Sequence, residues 1–176
     1  NHGSTFVTEN TEYILSASRF SVPIPKGTYE KIADYATKYK GIVAGVQIDA
    51  QSGAMSLGWE IMMPPFDYDL GDGGKGPSKD WAFWTCYNSE RGTGKLEVTS
   101  TQKDRDYIAA VNWRNAEAAI KAGKAKMVGG AKVLDPKDVE GVVFLIPIAK
   151  SPHGVDVSPD GKYIIGSGKL QSITTA

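Results

Sequence analysis

Short apolar runs separated by turn residues follow one another along most of this chain. Runs of this kind occur at residues 13–20, 42–48, 55–62, 81–86, 95–99, 107–113 and 142–147. Alternating or continuous apolar runs bounded by Gly, Pro, Asn, Asp and Ser are typical of β-strands. The pattern therefore predicts an all-β fold.

Three other segments qualify this pattern. Residues 115–123 predict one short helix, since Ala, Glu, Ile and Lys favour a helix and Gly123 offers a stop. Residues 26–39 are polar with weak helical spacing, and their form stays open. Residues 64–79 are rich in Pro, Gly and Asp and predict a loop. The Gly-Asp-Gly-Gly-Lys-Gly run at 71–76 formally matches a dinucleotide fingerprint, but we expect no strand before it and no helix after it.

Two segments look like copies of one unit, and each opens with His-Gly. His2 is followed by an alternating stretch, a polar turn and Tyr13, and His153 is followed in the same order by Tyr163. The run at 81–86 is a candidate third copy, whose upstream region carries Asp67 and Asp69 in place of His. The chain therefore contains an internal repeat.

The hairpin inside the last copy has the sequence Ser-Pro-Asp-Gly-Lys-Tyr at 158–163. Hairpins of this kind recurring in all-β sequence are a common sign of propeller blades. With about 40–50 residues in each blade, this chain would hold roughly three or four blades, an open part of a ring.

His2 and His153 are the only histidines in the chain. Imidazoles at equivalent positions of a repeat can converge on a shared axis and bind a metal. A lone histidine in a β protein more often has a hydrogen-bonded structural role. Both interpretations stay open on the residues alone.

Composition narrows the function classes. Twenty basic and twenty acidic residues cancel in a chain of 176 residues, so nothing indicates a nucleic-acid surface or a polybasic membrane patch. The apolar run at 141–149 is too short to cross a bilayer. The single cysteine, Cys86, excludes an internal disulfide and is expected to be a buried structural thiol. Small-molecule chemistry is the favoured class.

Several segments carry a resemblance to a known family. They are His2-Gly3, the Thr-Cys-Tyr-Asn-Ser-Glu run at 85–90, and residues 146–163 continuing to 168–170. Together they resemble nitrous oxide reductase. The resemblance implies that residues 1–176 are an internal piece of its N-terminal, seven-bladed β-propeller, with the C-terminal cupredoxin domain absent from this chain.

The resemblance also implies chemistry. The family reduces nitrous oxide to dinitrogen and water, the last step of denitrification, at a tetranuclear copper–sulfide centre held by seven histidines. His2 and His153 match two of those ligands and are the expected catalytic and copper-binding residues. The dinuclear copper site of the family would lie in the cupredoxin domain.

A calcium site is implied as well. Tyr87, through its carbonyl, Glu90 and Asp106 match its ligand positions, with Asp104 as a rival to Asp106. Many family members have Asn where this chain has Ser151, which weakens the expectation of calcium ligation there. This departure and the Val-Asp-Val that follows the His-Gly make the chain resemble the atypical branch of the family.

Further expectations come from the resemblance alone. Family members are periplasmic homodimers that receive electrons from a cytochrome c or a cupredoxin. Near His153, Asp156 and Lys169 are candidates for orienting or proton-relay groups, or are solvated charges. One alternative function is a non-catalytic β-propeller binding scaffold. Another is a hydrolase using Ser151, His153 and Asp156, which is disfavoured because sequence neighbours on a strand do not form a working triad.

Overall fold

The computed structural model describes residues 5–18, 22–23, 39–87, 105–171 and 173–176, which are mostly β. The strands are β1 Thr5–Val7, β2 Tyr13–Ala17, β3 Val22–Pro23, β4 Tyr39–Ile48, β5 Met55–Met63, β6 Asp67–Gly73, β7 Trp81–Tyr87, β8 Asp106–Asn112, β9 Lys126–Val128, β10 Ala131–Leu134, β11 Val143–Ile148, β12 Pro152–Val157, β13 Ile164–Gly168 and β14 Thr174–Thr175. Helix α1 spans Trp113–Lys121, and short 3-10 turns lie at Gly76–Ser78 and Pro136–Asp138. The prediction of a mostly β chain is confirmed.

The strands form three sheets. Sheet one has the order β1-β2-β4-β5-β10-β9, with β3 paired to β4; sheet two is β6-β7-β8-β11, and sheet three is β12-β13-β14. Neighbouring strands are antiparallel except for β10, which pairs with β5 in parallel. Each sheet starts with a first strand, β1, β6 or β12, paired to the next strand in the chain. The three candidate copies in the sequence therefore correspond to the three sheets.

Strand β7 is buried on both faces because sheet two lies between the other two sheets. Trp84 and Cys86 belong to a large core cluster with residues of sheet one and helix α1. Phe83 belongs to a second cluster that contains Val155 and Val157 of sheet three. The continuous apolar run that predicted this strand thus reflects two buried faces. As a result, the first strand β6 contacts both β1 and β12.

Helix α1 begins two residues earlier than the sequence predicted. The Asn112 side chain accepts a hydrogen bond from the Asn115 backbone N–H and so caps the helix before Trp113. The helix ends before Gly123, which has a φ of 79°. Within the described residues, no helix has the length and apolar character needed to span a bilayer.

The prediction of a loop over residues 64–79 is wrong, because strand β6 occupies Asp67–Gly73. Aromatic and apolar residues at 66, 68 and 70 alternate with Asp along the start of this strand, but Asp and Gly are depleted in strands. Gly71 is required for close packing: a Cβ there would lie 2.4 Å from Trp84 Cδ1. The Gly-rich run leads into a 3-10 turn rather than a helix, so it has no dinucleotide-binding context. The segments predicted at 26–38 and 95–99 lie outside the described residues.

Candidate functional site

His153 lies beside a buried carboxylate of the neighbouring sheet. Strand β12 carries His153 and packs against β6, which carries Asp69. His153 Nε2 is 3.8 Å from Asp69 Oδ2, with side-chain exposures of 47% and 2% respectively. The distance suits an electrostatic contact and is too long for a hydrogen bond. The site therefore combines an accessible imidazole with an enclosed carboxyl group.

The turn that precedes His153 is held by a second buried carboxylate. Asp106, at the start of β8, accepts a 2.7 Å hydrogen bond from the Ser151 backbone N–H. Ser151 has a φ of 57°, a left-handed conformation that costs a non-glycine residue roughly 1 kcal/mol or more. Lys150 Nζ lies 3.7 Å from the same Asp106 oxygen. Asp106 thus stabilises the turn that leads into β12, which begins at Pro152, one residue before His153.

The other end of β12 is also tied to sheet two. The Asp72 carboxylate accepts from the Val157 N–H at 2.9 Å and from Lys75 Nζ at 2.8 Å. Lys75 Nζ donates at 2.9 Å to the Val157 carbonyl. This pair of side chains bonds both backbone polar groups of one residue. Strand β12 is therefore fixed on both sides of His153.

The glycine after His153 is not required by the packing of the described residues. A Cβ built on Gly154 would meet only Leu70 Cδ1, at an ordinary contact distance of 3.9 Å. Gly71 on the neighbouring strand differs, since its Cβ would approach the Phe83 carbonyl oxygen to 2.5 Å. Among the described residues, a methyl group on Gly154 would therefore be tolerated without a clash.

Two of the predicted calcium residues lie at the same end of sheet two. Tyr87 ends β7 next to Cys86, which pairs with Tyr107, so Tyr87 and Asp106 end neighbouring strands side by side. The position fits the predicted use of the Tyr87 carbonyl together with the Asp106 carboxylate.

The remaining predicted site residues cannot be placed. His2, Glu90 and Asp104 lie outside the described residues, although β1, which follows His2, contacts β6. Over residues 5–18, 22–23, 39–87, 105–171 and 173–176, no three His, Cys, Asp or Glu side chains gather in a way that could hold a metal. A metal site involving His153 needs ligands from elsewhere.

Other candidate residues are sorted by their burial. Ser151 is buried and Asp156 is exposed, so with His153 they do not share one accessible triad.

Cys86 is buried, and its thiol donates to the Tyr107 carbonyl at 3.3 Å. Burial, and then the nearby Asp106 charge, raise the pKa of the Cys86 thiol well above its ordinary range. Cys86 is therefore the structural thiol that the sequence predicted.

Sequence reasoning missed the role of Asp69. It noted Asp69 only as a residue standing where the other copies have His. The available signal was an acidic residue inside a segment that returns as a buried aromatic strand, which indicates a carboxylate held within the fold. The pairing with His153 could not be found from the sequence, because it joins two different sheets.

Comparison with known proteins gives one consistent result. No family model matches the chain. The chain is 31% identical over 167 residues to the nitrous-oxide reductase of Pseudomonas fluorescens, covering 91% of this chain and 24% of that protein. For the nitrous-oxide reductase of Stutzerimonas stutzeri the identity is 29% over 167 residues, or 92% and 25% of the two lengths. For that of Ralstonia nicotianae it is 30% over 177 residues, or 94% and 25%.

The predicted resemblance to nitrous-oxide reductases is thus confirmed across most of the chain. The chain spans about a quarter of the length of the curated relatives it matches.

Proposed function

We propose that this chain is part of the copper-cluster domain of a nitrous-oxide reductase, which reduces nitrous oxide to dinitrogen and water with two electrons and two protons. Similarity to reductases over more than nine-tenths of the chain supports the assignment. The observation that carries it is the accessible His153 imidazole, held on a strand that is fixed at both ends beside a buried carboxylate.

The sheet arrangement supports a propeller. Three largely antiparallel sheets pack face to face, and each starts with a first strand that contacts the first strand of its neighbour. Radial repetition of such sheets builds a β-propeller around a central channel. We assign the three sheets to three blades of a seven-bladed ring, with the first strands nearest the axis. On this assignment, His2 and His153 hold equivalent positions of the repeat and would converge on the shared axis.

The residues around His153 fit a copper ligand. Imidazole nitrogen is a good ligand for copper, and a carboxylate behind a metal-bound histidine orients the ring. Among the described residues, only Leu70 lies within 4 Å of a Cβ built on Gly154, which is compatible with a group bound close to this backbone. The cluster, when bound, supplies the two electrons to a substrate that is inert toward single-electron reduction.

Two histidines cannot hold four metals. His2 and His153 would supply two of the seven imidazoles, and the other five, with the dinuclear copper site of the cupredoxin domain, would come from parts of the reductase beyond these 176 residues. The contribution of this chain is to bind copper at fixed positions and to hold the ligand strand in place.

Calcium is a second proposed ion. Its ligands would be the Tyr87 carbonyl, Glu90 and Asp106, because hard oxygen donors suit calcium. The adjacent strand ends of Tyr87 and Asp106 support this set, while the Lys150 ammonium near Asp106 opposes it by charge repulsion. Calcium at this point would stabilise the turn that leads to His153.

The cellular setting is proposed from similarity alone. The reductase would work in the periplasm as a homodimer and take electrons from a cytochrome c or a cupredoxin. Support comes only from the resemblance to the reductases, because none of these partners leaves a signature in the described residues.

The competing function is a non-catalytic propeller that serves as a binding scaffold. The two functions differ in what they require of the histidines. In the full-length protein, His2→Ala and His153→Ala should each lower the copper bound per protein and abolish nitrous oxide reduction, while the exposed control Lys162→Ala should leave both unchanged. Wild-type copper content and turnover in both histidine variants would instead favour the scaffold.

A further inference from the structure

We propose that Asp69 is a positioning residue for His153, whose carboxylate decides which ring nitrogen of His153 is presented to copper. The inference rests on the proposed copper-binding role of His153. It adds a residue from a different sheet, on the strand that holds an acidic residue where the flanking copies of the repeat hold His2 and His153.

Three carboxylates of sheet two reach strand β12 and the turn before it. Asp106 binds the backbone N–H of Ser151, and Asp72 binds the backbone N–H of Val157. Those two contacts hold the backbone, whatever side chains the strand carries. Asp69 is different, because its carboxylate faces the His153 ring. Its contact is therefore directed at the ligand rather than at the strand.

The burial of the Asp69 carboxylate indicates that its contact with His153 matters. A carboxylate that is 2% exposed has lost most of its hydration, which is unfavourable unless compensating groups lie nearby. The His153 ring nitrogen is one such group at 3.8 Å, and a shift of about 1 Å would convert the contact into a hydrogen bond. Since the backbone of β12 is fixed at both ends, this shift would come from rotation of the His153 side chain and not from movement of the strand.

The chemical consequence is a fixed tautomer. A carboxylate next to one imidazole nitrogen stabilises the proton on that nitrogen, so the lone pair of the other nitrogen is available to a metal. The same contact makes the other ring nitrogen a stronger electron-pair donor to a metal. Removal of such a carboxylate typically weakens metal affinity by about 10–100-fold.

The first test needs no metal. In the metal-free full-length protein, the ring ¹⁵N chemical shifts of His153 can be assigned by comparison with His153→Ala. At about pH 8, where an ordinary imidazole is neutral, wild-type His153 should populate one predominant tautomer. Asp69→Asn should move the ring toward a tautomer mixture.

The control is Asp138→Asn, which removes an exposed carboxylate of the 3-10 turn at Pro136–Asp138. It should keep the wild-type ring shifts. Unchanged shifts in Asp69→Asn would overturn the proposal. If Asp69→Asn does not fold, the wild type decides, because a His153 tautomer mixture equal to that of free histidine would also overturn it.

The second test measures copper affinity of the full-length protein by chelator competition. Asp69→Asn should weaken copper binding by about 10–100-fold, and the exposed control Asp138→Asn should not. If His153→Ala binds copper with wild-type affinity, the proposed function fails. The tautomer measurement still tests whether Asp69 acts on the His153 ring. If His153→Ala loses copper and Asp69→Asn keeps both wild-type affinity and wild-type ring shifts, only the positioning role fails.

Discussion

The Tyr13 hydroxyl donates a 2.7 Å hydrogen bond to Glu117 Oε1 and so ties the second strand of sheet one to helix α1. Burial and this hydrogen bond raise the pKa of Tyr13 to about 12. Burial alone would raise the pKa of Glu117, but hydrogen bonds from Tyr13, Lys121 and Arg114 outweigh it and hold the pKa below its ordinary value. The helix is therefore anchored by a buried carboxylate that stays ionised.

Tyr13→Phe should lower the free energy of unfolding by about 1.5–3 kcal/mol, the range for a hydrogen bond to a charged group. The loss arises because Glu117 Oε1 keeps Lys121 but loses the hydroxyl donor. Urea denaturation of the 176-residue chain measures it. The control is Tyr163→Phe, since Tyr163 is 58% exposed and its change should stay within about 0.5 kcal/mol. Equal losses in both variants would show that the buried hydrogen bond contributes nothing of its own.

The contribution of Glu117 should depend on pH in a defined direction. Its folded-state pKa is lowered, so its stabilisation is fully present above the unfolded-state pKa, about 4.3 for Glu. It is lost as pH falls through the folded-state pKa. The difference in unfolding free energy between wild type and Glu117→Gln should therefore be constant near neutrality and shrink below about pH 4. A difference that grows on acidification would contradict the assignment.

For Tyr13 the sign is opposite. Its folded-state pKa is raised to about 12, so the stabilisation is fully present below about pH 10 and is lost as pH rises toward 12. The wild type should therefore lose its advantage over Tyr13→Phe in alkaline denaturation series. An advantage that persists unchanged beyond pH 12 would show that the hydroxyl does not ionise with the expected shift.

The Asp72 and Lys75 pair should couple when both are removed. Asp72→Ala leaves the Val157 N–H without its carboxylate, and we expect a loss of about 1–3 kcal/mol. Lys75→Ala should cost less, because Lys75 is the more exposed partner at 42% against 25%. A double-mutant cycle in urea measures the coupling, with the exposed Asp156→Ala as control. Strict additivity would mean that the two side chains act on β12 independently.

Two glycines of neighbouring first strands should respond differently to a methyl group. Gly154→Ala should leave the unfolding free energy within about 1 kcal/mol, since its Cβ meets only one atom at an ordinary distance. Gly71→Ala should cost more than about 2 kcal/mol, because the Phe83 carbonyl cannot move aside. In the full-length protein Gly154→Ala should also lower copper content. Normal copper with a methyl at this position would remove the steric argument for a cluster there.

Calcium should raise the melting temperature of the wild-type chain, since an ion that binds only the folded state stabilises it by mass action. Asp106→Asn should abolish the calcium response and should itself be destabilising, because Ser151 and Lys150 lose a buried charge. Lys150→Met should bind calcium severalfold more tightly, since a repelling charge is removed. Magnesium is the control ion. The absence of any calcium response in Lys150→Met would rule out the proposed ligand set.

Local sequence patterns were sufficient to predict strands whose buried faces follow a regular apolar pattern. The hairpin of β4 and β5 follows from alternation on each side of the turn at 49–54. The buried strand Trp81–Tyr87 follows from a continuous apolar run. Helix α1 was predicted two residues late because its start depends on the Asn112 cap, a side-chain hydrogen bond that composition does not show.

Patterns failed where neighbouring sheets decide the conformation. Asp67–Gly73 alternates only over its first four residues and contains no β-branched residue, and it is a strand because it pairs with β7 while β1 and β12 pack beside it. Glycine at position 71 then lets the Trp84 ring approach. Such a segment looks like a loop in isolation, since its stability comes from contacts distant in sequence.

The sequence by itself determined the β-rich class, the three copies of the repeat and the place of His153 at the head of one copy. These follow from residue types and spacing, which act within a few residues. Only the tertiary structure decided that Asp106, Asp69 and Asp72 reach β12, and that one of them faces an imidazole. Carboxylates of β6 and β8 in sheet two reach β12 in sheet three because the whole sheets pack together. The free energy of that packing is spread over residues that no local sequence pattern connects.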